Sequence, residues 1–329
     1  MKRREVIALI AGAALSRSIL EARSADRVRK VAVLMAIGEN DPEGQARVAA
    51  FTQALEEIGW TEGKNVNIEW RWSAGQPDRL KQEASEIVLR RPDVIVAVGT
   101  PGLHAVHKTA LSTPIVFVIV NDPVGQGFVA NLARPGGNIT GFTFFEFSTL
   151  GKSMQVLRDL APQVSRAVLM FNPEITPYYR KYLASVEAAP HSVPLRVISV
   201  EIRSPTDIDQ FFSMSGADRD LGVVVPPDPF AVHNRSLIIS LAARHRTPCI
   251  YAYRQFVREG GLISYAPNTA DVFRRSASYV DRILKGANPA ELPVQSPVKF
   301  ELALNLITAK TLGLSVPLAL QAQADEVIE

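Results

Sequence analysis

From residue 28 onward the chain alternates two kinds of apolar pattern. Val28 to Ile37 is an apolar, β-branched run of strand length. Glu43 to Ile58 then carries Val48, Phe51, Leu55 and Ile58 at spacings of three and four, the stripe of a half-buried helix. Asn65 to Trp72 alternates as a strand does, Pro77 to Leu89 returns to helical spacing, and Val94 to Val98 is apolar throughout before it breaks at Gly99. A helix is expected from Leu103, followed by the continuous run Ile115 to Val120. Strands without a polar face, separated by helices, belong to a parallel sheet covered on both sides.

The series then begins again. Leu150 to Leu160, Pro177 to Ala188, Thr206 to Met214, Asn234 to His245 and Ala270 to Leu284 read as helices. Between them Ala167 to Phe171, Leu195 to Ile202, Leu221 to Val225, Cys249 to Tyr253 and Leu262 to Tyr265 read as strands. Pro293 to Phe300 reads as a further segment and Leu302 to Leu312 as a last helix. The expected fold class is α/β, with two doubly wound parallel-sheet lobes joined by a hinge. The boundaries fall at 28–141 for the N-terminal lobe, 142–149 for the hinge crossover and 150–292 for the C-terminal lobe, with 293–329 crossing back to the first lobe. A length of 329 residues is long for one compact core and comfortable for two.

Charge changes the picture at the N-terminus. Residues 1–24 hold five bases and two acids, which leaves 31 bases and 31 acids in the rest of the chain. The formal charge of +3 therefore belongs to the leader, and nothing remains to attract a phosphate backbone. Lys2-Arg3-Arg4, the apolar run Val6 to Leu15 and the small-x-small triplet Ala22-Arg23-Ser24 follow the order of an export signal, cleaved near Ser24. Arg3-Arg4 leaves twin-arginine export open beside the general route. The alternative is a frayed cytoplasmic N-terminus. Cys249 is the single cysteine, so a disulfide within one chain and a lipid anchor after the leader are both excluded. No later stretch is apolar for long enough to span a bilayer, and the expected location is periplasmic.

Three blocks of sequence stand out. The first is Pro114-Ile115-Val116-Phe117, Asp122-Pro123-Val124-Gly125 and Leu132 to Gly141 with Arg134-Pro135-Gly136-Gly137-Asn138 at its centre. The second is Gly260 to Tyr265, Arg274-Arg275, Tyr279 to Gly286 and Leu292-Pro293-Val294, and the third is Ala324 to Glu329. Together they resemble the ABC transporter substrate-binding family that includes tryptophan- and tyrosine-binding proteins. The resemblance runs from about residue 28 to the end; Ala266 and Gln321-Ala322-Gln323 depart from its usual pattern. It implies a periplasmic-binding-protein type I fold that delivers ligand to a membrane permease energised by ATPase subunits. A monomer without cofactor is expected. A sensor feeding a membrane receptor shares every one of these features, and a cytoplasmic doubly wound enzyme is the remaining alternative.

Ligands of open α/β sheets sit beyond the carboxyl ends of the strands, where this chain places Asn40, Thr100-Pro101-Gly102, Asn121-Asp122, Asn172, Asp228, Tyr251, Tyr253 and Tyr265. Gly99-Thr100-Pro101-Gly102 opens a helix, and backbone N–H groups there, with the Thr100 hydroxyl, make a seat for a carboxylate; a plain threonine cap is the alternative. Asn121 and Asp122 could contact ligand or shape a turn. Phe144, Phe145 and the three tyrosines could form an aromatic wall or ordinary core. The expected ligand is a small carboxylate, an amino acid or aromatic acid. His104 and His107 lack the further ligands a metal needs, and no nucleophile elbow, phosphate loop or Cys–His pair occurs, so neither a metal nor a catalytic residue is expected.

Overall fold

The computed structural model describes residues 27–144, 147–188, 195–216 and 218–329. The export-signal reading of residues 1–24 and the candidate Phe145 lie outside the described residues.

The first sheet has the order β2-β1-β3-β4-β5, built from Arg29–Met35 (β1), Val66–Trp72 (β2), Val94–Val98 (β3), Ile115–Val120 (β4) and Ile139–Thr143 (β5), all parallel. The lack of a polar face in β1, β3 and β4 has a direct cause. On one side Ala32, Leu34, Ile95, Ala97, Ile115 and Phe117 meet Leu80, Ala84 and Ile87 of α2 (Pro77–Leu89) and Leu103 and Val106 of α3 (Gly99–His107). On the other, Val31, Val33, Val94, Val96 and Val116 share a core with Phe51 and Leu55 of α1 (Pro42–Glu57). Gly141 is fixed by packing, because a Cβ there would lie 2.0 Å from the Phe117 carbonyl oxygen on the neighbouring strand, at a φ of +156°.

The second sheet repeats the plan and extends it. Its strands are β6 (Arg166–Phe171), β7 (Arg196–Glu201), β8 (Leu221–Val225), β9 (Cys249–Tyr251), β10 (Ile263–Pro267), β11 (Phe300–Asn305) and β12 (Glu326–Ile328). The order β7-β6-β8-β9-β10 is that of the first sheet, strand for strand, and β11 and β12 are added beyond β10. The helices are α4 (Phe147–Leu160), α5 (Tyr178–Ala188), α6 (Pro205–Ser215), α7 (Pro229–His233), α8 (Arg235–Arg244), α9 (Arg254–Arg258), α10 (Thr269–Leu284), α11 (Leu306–Thr311) and α12 (Leu318–Gln323).

Two expectations are corrected here. Residues 300–305 form β11, antiparallel to β10 with Leu302 opposite Tyr265 and Leu304 opposite Ile263, where the pattern suggested a helix from Leu302. The pairing and burial offered by β10 override the local helical spacing. The element that returns to the first lobe is α10, which packs along α1 and beside β4 and β5, whereas residues 300–328 complete the second sheet. The chain therefore passes between the lobes after β5, between β10 and α10, and again between α10 and β11.

Candidate functional site

The carboxyl ends of the two sheets face each other, and a small cavity closes between them. Ala36 and Ile37 beyond β1, Val98, Gly99, Thr100 and Pro101 at the β3–α3 junction, and Ile119 and Asn121 at the β4 exit line it from the first lobe. Tyr178, Pro227, Pro229, Val232 and Tyr253 line it from the second. Arg47, from the middle of α1, completes the lining.

Local sequence explains how these residues are held. Gly99 has a φ of +76°, a turn glycine tolerates without cost, and helix α3 starts there instead of at Leu103. Its N-cap is Val98, which supplies no side-chain bond, so Thr100 lies within the first turn and is not the cap. The Thr100 side chain is buried, and its hydroxyl accepts a hydrogen bond from the Asn121 backbone N–H at 3.1 Å. First-turn N–H groups have no acceptor within their own helix and carry the positive end of its dipole. Ile119 takes a φ of +61° where the β4–β5 register shifts between Val118 and Val120. For a β-branched residue that is a strained backbone, and such strain concentrates at functional sites.

The second lobe answers with hydroxyl groups. Asn121 Nδ2 donates to the Tyr178 hydroxyl at 3.3 Å and to the Tyr179 hydroxyl at 3.4 Å, and Tyr179 donates to the Pro227 carbonyl at 3.3 Å. Burial raises the Tyr178 and Tyr179 hydroxyls well above their usual range, and pushes Tyr253 up to about 12. All three stay neutral donors at physiological pH. Arg47 is 3% exposed; its Nε donates to Glu43 Oε1 at 3.3 Å, Thr269 also donates to that oxygen, and its guanidinium lies 5.2 Å from the Tyr253 ring centre. A helix start and neutral hydroxyls around one cavity, with a guanidinium that is ion-paired to the buried Glu43, offer hydrogen-bond donors to an anionic group.

The residues singled out from sequence divide into three groups. Thr100, Pro101, Asn121 and Tyr253 line the cavity, and Gly102 lies buried one residue further along α3. Asn172 and Asp228 stand behind the lining as supports: both oxygens of Asp228 are bonded, one to Asn172 N–H at 2.8 Å and Thr176 Oγ1 at 2.7 Å, the other to Phe230 and Ala231 N–H at 2.8 and 3.0 Å. Phe144 is buried and stacks on Tyr253 at 5.8 Å, one layer out from the cavity. The others lie off this cavity. Tyr251 stacks on Phe256 and Tyr265 on Phe300. Asp122 caps its own turn through Gly125 N–H and lines a neighbouring space with Tyr178 and Tyr179, and Asn40 is exposed in another, opposite Pro229 and Arg235. Arg47, Ile119 and Tyr178 were not singled out. Arg47 sits in an amphipathic helix, and only the other lobe reveals what it faces.

Two similar doubly wound lobes with a small cavity between their carboxyl edges define a two-lobed ligand-binding protein. The chain belongs to the ABC transporter substrate binding protein family, which matches residues 30–328. It is 23% identical over 265 residues to a tyrosine-binding protein of Clostridioides difficile, covering 80% of this chain and 75% of that one. A conserved domain protein of Vibrio cholerae superposes with a TM-score of 0.83 and 26% identity over 92% of this chain and all of the other. The ABC domain from Streptococcus pneumonia in complex with L-Trp gives 0.81 and 22% identity over 91% and 99%. The family's role is to bind substrate, not to transform it.

Proposed function

We propose that this protein is the extracytoplasmic solute-binding component of an ABC-type importer, and that it holds a small carboxylate-bearing ligand, an amino acid or aromatic acid, between its lobes. The observation that carries the reading is the cavity lined by Thr100, Asn121 and Arg47, where an uncapped helix start and a buried guanidinium converge. The tyrosine-binding and L-Trp-bound relatives support the ligand class. The partners of such a component are a membrane permease and its ATPase subunits, which receive the ligand when the lobes part. No described helix is long and apolar enough to cross a membrane. The leader through Ser24 is proposed to direct export; intact mass of the periplasmic product should start near residue 25, and an uncleaved cytoplasmic product would contradict it.

Calorimetry on the parent and on Thr100→Ala tests the carboxylate seat. Losing a hydrogen bond to a charged group costs about 1.5–3 kcal/mol, roughly ten- to over a hundredfold in affinity. Equal affinity of the two proteins, or a preference for uncharged or cationic ligands, would sink the assignment.

A further inference from the structure

The central cavity is small, with a volume of about 30 Å³, room for one or two waters and not for the ring of an aromatic acid. The aromatic groups beside it are already engaged, since Tyr253 packs between Phe144 and the Arg47 guanidinium. A second cavity of about 460 Å³ adjoins it, and Ala36, Pro101 and Pro229 line both. That volume falls within the range of small-molecule sites. Its walls come from both lobes: Pro77, Leu80 and Ala105 on α2 and α3, Ile175 and Pro177 before α5. Lys81 and Lys108 stand exposed at its edge with Glu174 across from them.

We propose that this chamber is the specificity subsite, and that it receives the apolar tail, aryl or branched alkyl, of a carboxylate whose charged end lies at Thr100 and Arg47. The assignment rests on the carboxylate reading of the central cavity for its orientation, and the chamber supplies the tail. Apolar walls reward an apolar tail by the area removed from water. Because both lobes contribute walls, a tail seated there also favours the closed arrangement. The two lysines disfavour a cationic end group on the tail. The aromatic layer of Phe144 and Tyr253 acts as a backing for Arg47 and leaves the ring of the ligand to the chamber.

The test compares 3-phenylpropanoate and L-phenylalanine with propanoate and L-alanine, by calorimetry on the full chain. 3-Phenylpropanamide serves as the uncharged control. The parent should bind the aryl acids about ten- to a hundredfold more tightly than their short homologues. Ala105→Trp, which fills the chamber from the first lobe, should remove most of that difference, and Ile175→Trp should do so from the second. Either variant that melts as the parent does is sufficient. Thr100→Ala should weaken the aryl acids while keeping their lead over the short homologues. Retention of the full aryl preference by the folded tryptophan variants would overturn the proposal, as would a parent that binds neither the aryl acids nor the amide. Tight binding of the amide, lost in the tryptophan variants and untouched in Thr100→Ala, would uphold the chamber and overturn the carboxylate seat alone.

Discussion

Asp228 lies between Pro227 and Pro229 with its side chain wholly buried. Four donors converge on its two oxygens, and through them the β6 exit at Asn172 and Thr176 is tied to the start of α7. Asparagine would present an NH2 to one pair of donors, so Asp228→Asn should lose two bonds and about 3 kcal/mol of stability near neutrality. Burial raises the folded-state pKa above 3.8, although the four donors oppose it. The unfolded chain therefore releases its proton first as pH rises, and the carboxyl's stabilising contribution declines from near pH 3.8 up to the folded value. Urea unfolding at several pH values should find the parent's advantage over the variant largest in acid; an advantage that grows with pH would contradict this sign. Such residues separate what sequence reveals from what it conceals. The place of Thr100 at the cavity is legible because Gly-Thr-Pro-Gly follows an apolar strand, and that of Asn121 because it ends one. Arg47 and Tyr178 are not, since both occupy ordinary helical positions and acquire their role from the opposite lobe. Ile119 is hidden for another reason: nothing in Val118-Ile119-Val120 announces a positive φ.

At the scale of elements, the pattern identified the covered strands well because their apolar runs are continuous and bounded by glycine, proline or asparagine. Val94–Val98 and Leu221–Val225 have the expected limits. What failed was assignment to a lobe. Helix α10 reads like any other amphipathic helix, and its partners in α1, β4 and β5 are more than a hundred residues away. Nothing local distinguishes it from a helix covering the second sheet. β11 was missed because Leu302 and Leu304 alternate within only six residues, a span short enough to serve helix or strand until β10 offers its edge. The resulting interleaving matters physically. Three passages between lobes restrict their relative motion to bending about one region, whereas a single linker would leave them free to drift.

The molecule as a whole is two copies of one strand order facing each other, held at the cleft by contacts that no single lobe contains. Arg235 at the start of α8 donates from Nη1 to Asp41 Oδ2 at 2.6 Å, across the lobes, and from Nε to Glu259 at 2.8 Å. The two bridging side chains are only 16% and 9% exposed, so their attraction is less screened than at an open surface. Nearby, Gly75 at φ +72° brings the first lobe so close that an added Cβ would meet the Pro229 carbonyl oxygen at 3.1 Å. The central cavity is walled by both lobes, so binding is expected to be coupled to their opening and reclosure. On that expectation the Asp41–Arg235 pair acts on the closed state alone. Arg235→Gln should weaken ligand binding by about 1–2 kcal/mol, roughly five- to thirtyfold, and chiefly by faster dissociation. At saturating ligand the variant should still reach the parent's radius of gyration in small-angle scattering, because the substitution changes the balance of states and not their shapes. Stopped-flow dissociation and scattering on the same two proteins decide the matter. Unchanged dissociation would remove the latch, and a radius that never contracts on saturation in either protein would remove closure itself.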